Sequence, residues 1–206
     1  MQNEIDPAER QRHLRITEPS PWVSRFAGLA TNNASVLDVA AGGGRHSRVF
    51  LELGHRVTAI DKNTSALPGQ LPTQNLTIVE FDMEAGNAMF DAQGPLTGQK
   101  FDVIVVVNYL YRSLFDDLLG ALAPGGLFLY ETFAFGNEVY AKPRNPDHLL
   151  KAGELLEVAT PHLQVVAYEH GLVKTGDIPG VKQRLCAVKD LDLGGRGDGQ
   201  PPAHAI

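Results

Sequence analysis

The stretch VLDVAAGGGRHS, residues 36–47, sets the architecture of this chain. A short apolar run (Val36, Leu37, Val39) carries an acid, Asp38, near its end. It breaks into Gly42-Gly43-Gly44 and restarts with helical spacing through Val49, Phe50, Leu51 and Leu53. This is strand, tight turn, helix, the unit with which α/β proteins hold a nucleoside. Glycines allow the backbone to approach a ligand closely, and the helix N-terminus offers free N–H groups.

The acid ahead of the glycines narrows the choice of nucleoside. A dinucleotide fingerprint wants G-x-G-x-x-G, and here Ser47 stands at the third glycine. A pyrophosphate beside the Asp38 carboxylate is repelled, whereas a cationic amino group is held. S-adenosylmethionine carries such an ammonium together with a sulfonium, so the loop favours it over NAD. The absence of a Tyr-x-x-x-Lys pair also speaks against a dehydrogenase.

Length and composition set the outer bounds. A chain of 206 residues with 43% hydrophobic and 20% charged residues reads as one domain burying about 70% of its unfolded surface. A net charge of −6 argues against a broad nucleic-acid-binding face. No apolar run reaches the roughly 18 residues of a membrane span, and the start MQNEIDPAERQRHLR does not read as a secretory signal. Cys186 is the single cysteine, set in an apolar alternation as a buried structural thiol. No internal disulfide can form, so the expectation is a reducing, cytoplasmic setting, with a monomer or homodimer. The Arg10, Arg12, His13, Arg15 run is interleaved with acids and reads as a solvated helix face.

Ser20-Pro21 announces a short helix, Trp22 to Leu29, with serine as cap and proline at the first helical position. Strands are expected at 35–40, 55–61, 76–82, 101–108, 127–133, 163–171 and 181–189. Helices are expected at 45–53, 114–122 and 149–158, with Pro124-Gly125-Gly126 stopping the second. FDVIVVVN (101–108) is nearly all apolar, as expected of a central strand buried on both faces. The alternation implies a doubly wound, mostly parallel seven-stranded α/β sheet. About ten residues join the last two strands, too few for a helical crossover, so the last strand should be antiparallel. The expected organisation is an N-terminal helical segment covering the site (1–34), a core domain (35–189) and a Gly/Pro-rich disordered tail (190–206).

In an open parallel sheet ligands sit beyond the carboxyl ends of the strands. Those ends carry Asp38 with the glycine turn, Asp61, Asp82, Asn108 and Glu131. A single such residue is often a turn or cap, but five at one edge point to a site. Asp61 is placed for both ribose hydroxyls, which want a bidentate acceptor. Asp82 followed by Met83 is placed for an adenine.

With these motifs the chain resembles the class I S-adenosylmethionine-dependent methyltransferases over residues 35–189. The glycine motif, the acid at 61, FDME at 81–84 and PGG before the fifth strand stand in that family's order. AAGGGRHS, VVVNYLYR and YETF look like its small tellurite-resistance-type branch. The resemblance implies a Rossmann-like methyltransferase fold. It implies Asp38, Ala40, Gly42 and Gly44 around the methionine part, Asp61 and Lys62 at the ribose, Asp82 and Met83 at the adenine, and Asn108 facing the methyl-transfer centre. Ala40 departs from the pattern, which has glycine there.

The reaction so implied is methyl transfer to a small, anionic or lone-pair-rich acceptor, leaving S-adenosylhomocysteine. Alternatives are an RNA-directed methyltransferase and a cofactor-binding regulator without turnover. Asn108, Arg112 and Glu131 are the candidates for catalysis. Arg112 sits at the site mouth, where arginine commonly binds a carboxylate or other anion, and Glu131 serves as a base or pairs with Arg112. Lys142 and Arg144 add charge from the 134–148 segment over the site. Arg45 and His46 open the helix after the glycines, as a solvated start or as cofactor contacts. No second His or Cys stands at metal-ligand spacing from His46, so no metal is expected.

Overall fold

Val36, Leu37 and Val39 are fully buried in a strand, β1 (Ser35–Val39), flanked on both sides by parallel partners. The computed structural model describes residues 16–67, 69, 71–72, 74–86, 88–174, 178–191 and 200–206. Among them run α1 (Pro21–Phe26), β1, α2 (Arg45–Glu52), β2 (Arg56–Asp61), β3 (Leu76–Glu80), β4 (Phe101–Val107), α3 (Phe115–Ala121), β5 (Leu122–Phe133), α4 (Glu154–Ala159), β6 (Gln164–Val173) and β7 (Gly180–Val188). The seven strands form one sheet in the order β3-β2-β1-β4-β5-β7-β6. β7 runs antiparallel to β5 and β6; the pairs from β3 through β5 are parallel. The doubly wound sheet with its antiparallel last strand is as expected.

Both faces of the sheet are covered, which is why β4 has no polar alternation. Ile104 and Val106 enter one core with Leu37, Val39, Phe128 and Tyr130. Val103 and Val105 enter the other with Val36, Phe50, Leu129 and Cys186. Cys186 is fully buried and its thiol is pushed up to about 12 by burial, so it is a core side chain. The second core is closed by α1. Ser20 caps that helix by accepting from the Trp22 N–H at 3.2 Å, and Pro21 takes its first position. Trp22 packs edge-on against Phe26 and donates its indole N–H to the Leu185 carbonyl at 3.1 Å.

Two details differ from the sequence reading. Pro124-Gly125-Gly126 does not lie in a loop: β5 already starts at Leu122, opposite Phe101, and a register shift precedes Leu127. Gly125, at φ 75, makes that irregularity possible while its N–H reaches the Lys189 carbonyl. The helix expected at 149–158 starts only at Glu154, after Gly153 at φ 77, and a 3₁₀ turn, Pro146–His148, precedes it. In the tail expected to be disordered, residues 192–199 lie outside the described residues, but His204 pairs with the buried Asp190 at 2.7 Å. Residues 1–15, and with them the basic run, are also outside the description. Among the described residues no helix is long and apolar enough to cross a membrane.

Candidate functional site

The carboxyl ends of β1, β2, β4 and β5 meet at one edge, and β1 next to β4 is the point where the chain reverses direction across the sheet. A crevice forms there in open α/β sheets. Asp38 lies at this edge, 1% exposed. Its Oδ2 accepts from the Ser47 N–H at 2.9 Å and from the Ser47 hydroxyl at 2.6 Å. The carboxylate thus caps the first turn of α2 from below the glycine loop and locks strand to helix. Burial pushes this carboxyl up to about 6, against the two Ser47 hydrogen bonds and the Arg45 charge, which pull it down. Such a displacement corresponds to about 3 kcal/mol. The folded chain holds the proton more tightly than the unfolded one, so stability falls as pH rises from about 4 to about 6.

The loop above it carries two glycines that do different things. Gly44, at φ 76, begins α2, and a Cβ there would run into Leu67 and Leu71. Gly42, at φ 56, has open space where a Cβ would be. The backbone at Gly42 is thus open on the side where a side chain would stand. Ala40 takes φ 54, left-handed backbone that a β-carbon opposes, at the position where the resembled family has glycine.

Asp61, at the end of β2, accepts from the Gly42 N–H through Oδ2 and the Asn63 N–H through Oδ1, both at 2.9 Å. It therefore faces the loop across the strand pair. Lys62 beside it is exposed. Asp82 is exposed and accepts from the Glu84 N–H at 3.0 Å, whereas Met83 is buried and offers an apolar surface. Asn108 sits just past β4 at φ 57, half-buried. The tyrosine at 109 is partly packed into the core, and burial, with Glu84 next in effect, raises its hydroxyl far above the ordinary value. Tyr130 donates to the Tyr109 carbonyl at 3.0 Å.

Two candidates take other partners than expected. Arg112 does not face Glu131. Its Nε and Nη2 fork onto the Glu154 carboxylate at 2.6 and 3.0 Å. Nη1 reaches the Asp147 carbonyl at 2.7 Å and Nη2 the Leu149 carbonyl at 2.8 Å. Four of its five N–H groups are thus committed to protein, so Arg112 fastens the segment after β5 to α4 instead of awaiting an anion. Burial pushes the Glu154 carboxyl up, but the guanidinium and the Lys151 N–H outweigh it and hold the carboxyl below its usual range.

Glu131 is fully buried and is likewise no free base. Its Oε1 takes the Lys182 ammonium at 2.7 Å; its Oε2 takes the Ser20 hydroxyl at 2.5 Å and Arg184 Nε at 3.3 Å. Lys182 also donates to Asn108 Oδ1 at 3.0 Å. The Ser20 N–H donates to His46 Nε2 at 3.2 Å, so the buried His46 presents a lone pair there and is not a solvated helix start. Arg45 reaches the Glu18 carbonyl at 3.0 Å. Lys182, Arg184 and the second role of Ser20 escaped the sequence reading. Lys182 and Arg184 lie two apart on β7, opposite Phe133 and Glu131 in register, so they share a face. The readable signal was Glu131 itself: an acid in an apolar central strand demands a cation.

The 134–148 segment follows β5 and is organised by the buried Asn137, which donates to the Ala141 and Pro143 carbonyls. Lys142 and Arg144 on it are exposed. Among the described residues no group of three or more His, Cys, Asp or Glu could hold a metal ion.

Two substitutions test this geometry. Ala40→Gly removes the β-carbon from a left-handed residue and should raise the unfolding midpoint by about 2 °C in calorimetry; a lower midpoint contradicts the strain. Arg112→Met should cost about 1–3 kcal/mol in denaturant unfolding. It should also speed amide exchange selectively in residues 147–154, and unchanged exchange there contradicts the fastening role.

Residues 10–170 match a family model described as a methyltransferase domain. No curated protein sequence matches at significance. Among solved structures, TehB from Haemophilus influenzae aligns with TM-score 0.61 at 20% identity over 81% of this chain and 61% of its own. The present chain thus spans about three fifths of that relative. The N-methyltransferase NodS from Bradyrhizobium japonicum WM9, solved with S-adenosyl-L-homocysteine, aligns with TM-score 0.58 at 19% identity, over 87% and 97% of the two chains. The 1,6-didemethyltoxoflavin-N1-methyltransferase of Burkholderia thailandensis aligns with TM-score 0.56 at 22% identity, over 85% and 77%. At these identities the likeness is one of fold alone. The family match covers most of the sequence and takes in the glycine loop and the acid-lined strand ends, and on that ground the chain belongs to the methyltransferase domain family.

Proposed function

We propose that this protein transfers a methyl group from S-adenosylmethionine to a small-molecule acceptor. The observation that carries the reading is the buried Asp38 carboxylate at the end of β1, tied to the helix that follows a glycine loop open at Gly42. A cationic α-amino group bound at that loop is attracted by the carboxylate, while a pyrophosphate is repelled. Asp61, already turned toward the same loop, suits ribose hydroxyls, because a carboxylate accepts through both of its oxygens. Asp82 and the apolar Met83 suit an adenine edge and face. The NodS structure contains S-adenosyl-L-homocysteine, and the Burkholderia enzyme contains S-adenosylhomocysteine and 1,6-didemethyltoxoflavin. Both are in keeping with the same use of this fold.

S-adenosylmethionine supplies a methyl already activated by its sulfonium. The chain's part is to hold donor and acceptor in line, which contributes about 7–11 kcal/mol in favourable cases. Ala40, Gly42 and Gly44 hold the methionine end, Asp61 and Lys62 the ribose, and Asn108 borders the transfer centre. Glu131 acts through Lys182 and Ser20 as a positioning residue, and Arg112 through the segment after β5. A net charge of −6 favours a small acceptor over structured RNA. The single buried cysteine suits the cytoplasm.

Thermal unfolding with added nucleotides tests the reading. S-adenosylhomocysteine at about one hundred times its Kd should stabilise the fold by about 2.7 kcal/mol, a rise of roughly 5–11 °C for a domain of this size. NAD should leave the midpoint unchanged, and Asp61→Asn should lower the S-adenosylhomocysteine affinity at least about tenfold. Stabilisation by NAD and none by S-adenosylhomocysteine would falsify it.

A further inference from the structure

Large apolar side chains that stay in water gather at one end of the molecule. Val139 and Tyr140 are 77% and 58% exposed, and Phe135, on the same segment after β5, is 45% exposed. Leu172 on β6 is exposed as well. It stands opposite Val181 in register, and Val181 lies against Gly136 within that segment. Single exposed apolar residues are ordinary, but a group of them rimmed by charge marks a contact surface.

The segment that presents them is held in shape from inside. The buried Asn137 donates to the Ala141 and Pro143 carbonyls, and Glu138 takes the Gly136 N–H at 2.8 Å. Asn145 takes the Asp147 N–H at 3.0 Å. At its two ends the Phe135 N–H reaches the Leu150 carbonyl at 3.0 Å, and Arg112 holds the Asp147 and Leu149 carbonyls. A slack loop would fold its valine and tyrosine inward. This one is tied by its polar groups, so the exposure is built, and a surface fixed beforehand loses little freedom on binding.

The charges around the apolar residues say what fits there. Exposed Glu138 and Asp147 stand on the same segment as exposed Lys142 and Arg144, with Lys174 at the end of β6. A lipid surface or a nucleic acid attracts one sign only, and part of this rim would oppose it. A two-fold axis through the apolar residues brings the rim against itself, where acids of one copy can meet bases of the other.

We infer that this face is the interface of a two-fold symmetric homodimer, with Val139 and Tyr140 at its apolar centre and Arg144 on its charged rim. The inference goes beyond the methyltransferase reading and stands on the surface alone. The segment leaves β5 at its carboxyl end, so the interface borders the edge of the sheet that carries the candidate site.

Sedimentation equilibrium of the full chain tests it. With rising concentration the wild type should pass from the monomer mass of 22.3 kDa to twice that value and no further, because an isologous contact closes on itself. Val139→Asp sets a charge from each copy at the apolar centre, and Arg144→Glu turns a base of the rim into an acid. Each should raise the dimer dissociation constant about tenfold or more. Both positions are exposed, so the unfolding midpoint of the dilute monomer should not move, which separates a lost contact from a lost fold.

A wild type that stays monomeric overturns the inference; flotation of that monomer with vesicles of phosphatidylcholine and phosphatidylserine would then name a membrane as what the face meets. A dimer that either substitution leaves at full strength overturns it too, since the contact then lies elsewhere. Assembly beyond the dimer has the same force, because this face would not be closing on itself.

Discussion

One buried carboxylate holds the loop in place. Asp38 ends β1 and caps α2, so three successive glycines are stretched between two elements that cannot drift apart. The arrangement opposes its own cost: desolvation raises the carboxyl to about 6, while Ser47 gives back two hydrogen bonds. A buried acid that is partly compensated gains from a nearby cation, which is what the proposed methyl donor would bring to this loop. The left-handed Ala40 and the Gly42 N–H on Asp61 lie within the span that this tie closes.

A second buried acid organises the other half of the edge. Glu131 gathers Lys182, Arg184 and Ser20 from β7 and the N-terminal segment, and through Lys182 it reaches Asn108 at the end of β4. Ser20 connects the two halves: its hydroxyl serves Glu131 and its N–H serves His46, the neighbour of Ser47 on α2. The helix after the glycine loop and the buried ion cluster on β5 and β7 are therefore bridged by one serine at the entrance of α1. Replacing one partner of such a network leaves a buried charge exposed to its own desolvation cost, which is why its members act as a unit.

The sheet was legible because its signals are local. Runs of Val and Ile, acids at strand ends, and glycines after β1 each speak within ten residues, and the short link before β7 gave its direction. The same locality explains the misreadings. Pro124-Gly125-Gly126 looks like a turn in isolation, and only pairing with Phe101 on one side and Lys189 on the other makes it strand. Arg112 looks like an anion site until Glu154, 42 residues away, claims it. Lys182 and Glu131 are 51 residues apart, and Ser20 and Glu131 are 111 apart. Such partners are fixed by topology, and a sequence read along its length sees the charge without seeing what neutralises it.

The electrostatic core of this picture is open to a proton count. S-adenosylmethionine is titrated into the protein at pH 6 in buffers of different ionisation enthalpy, for the wild type and for Asp38→Asn. Since the carboxyl is about half protonated there and a bound ammonium favours the ionised form, binding should release on the order of half a proton, and Asp38→Asn should release none. Binding with no proton released by the wild type, or with equal release by both, would show that Asp38 does not receive the cation.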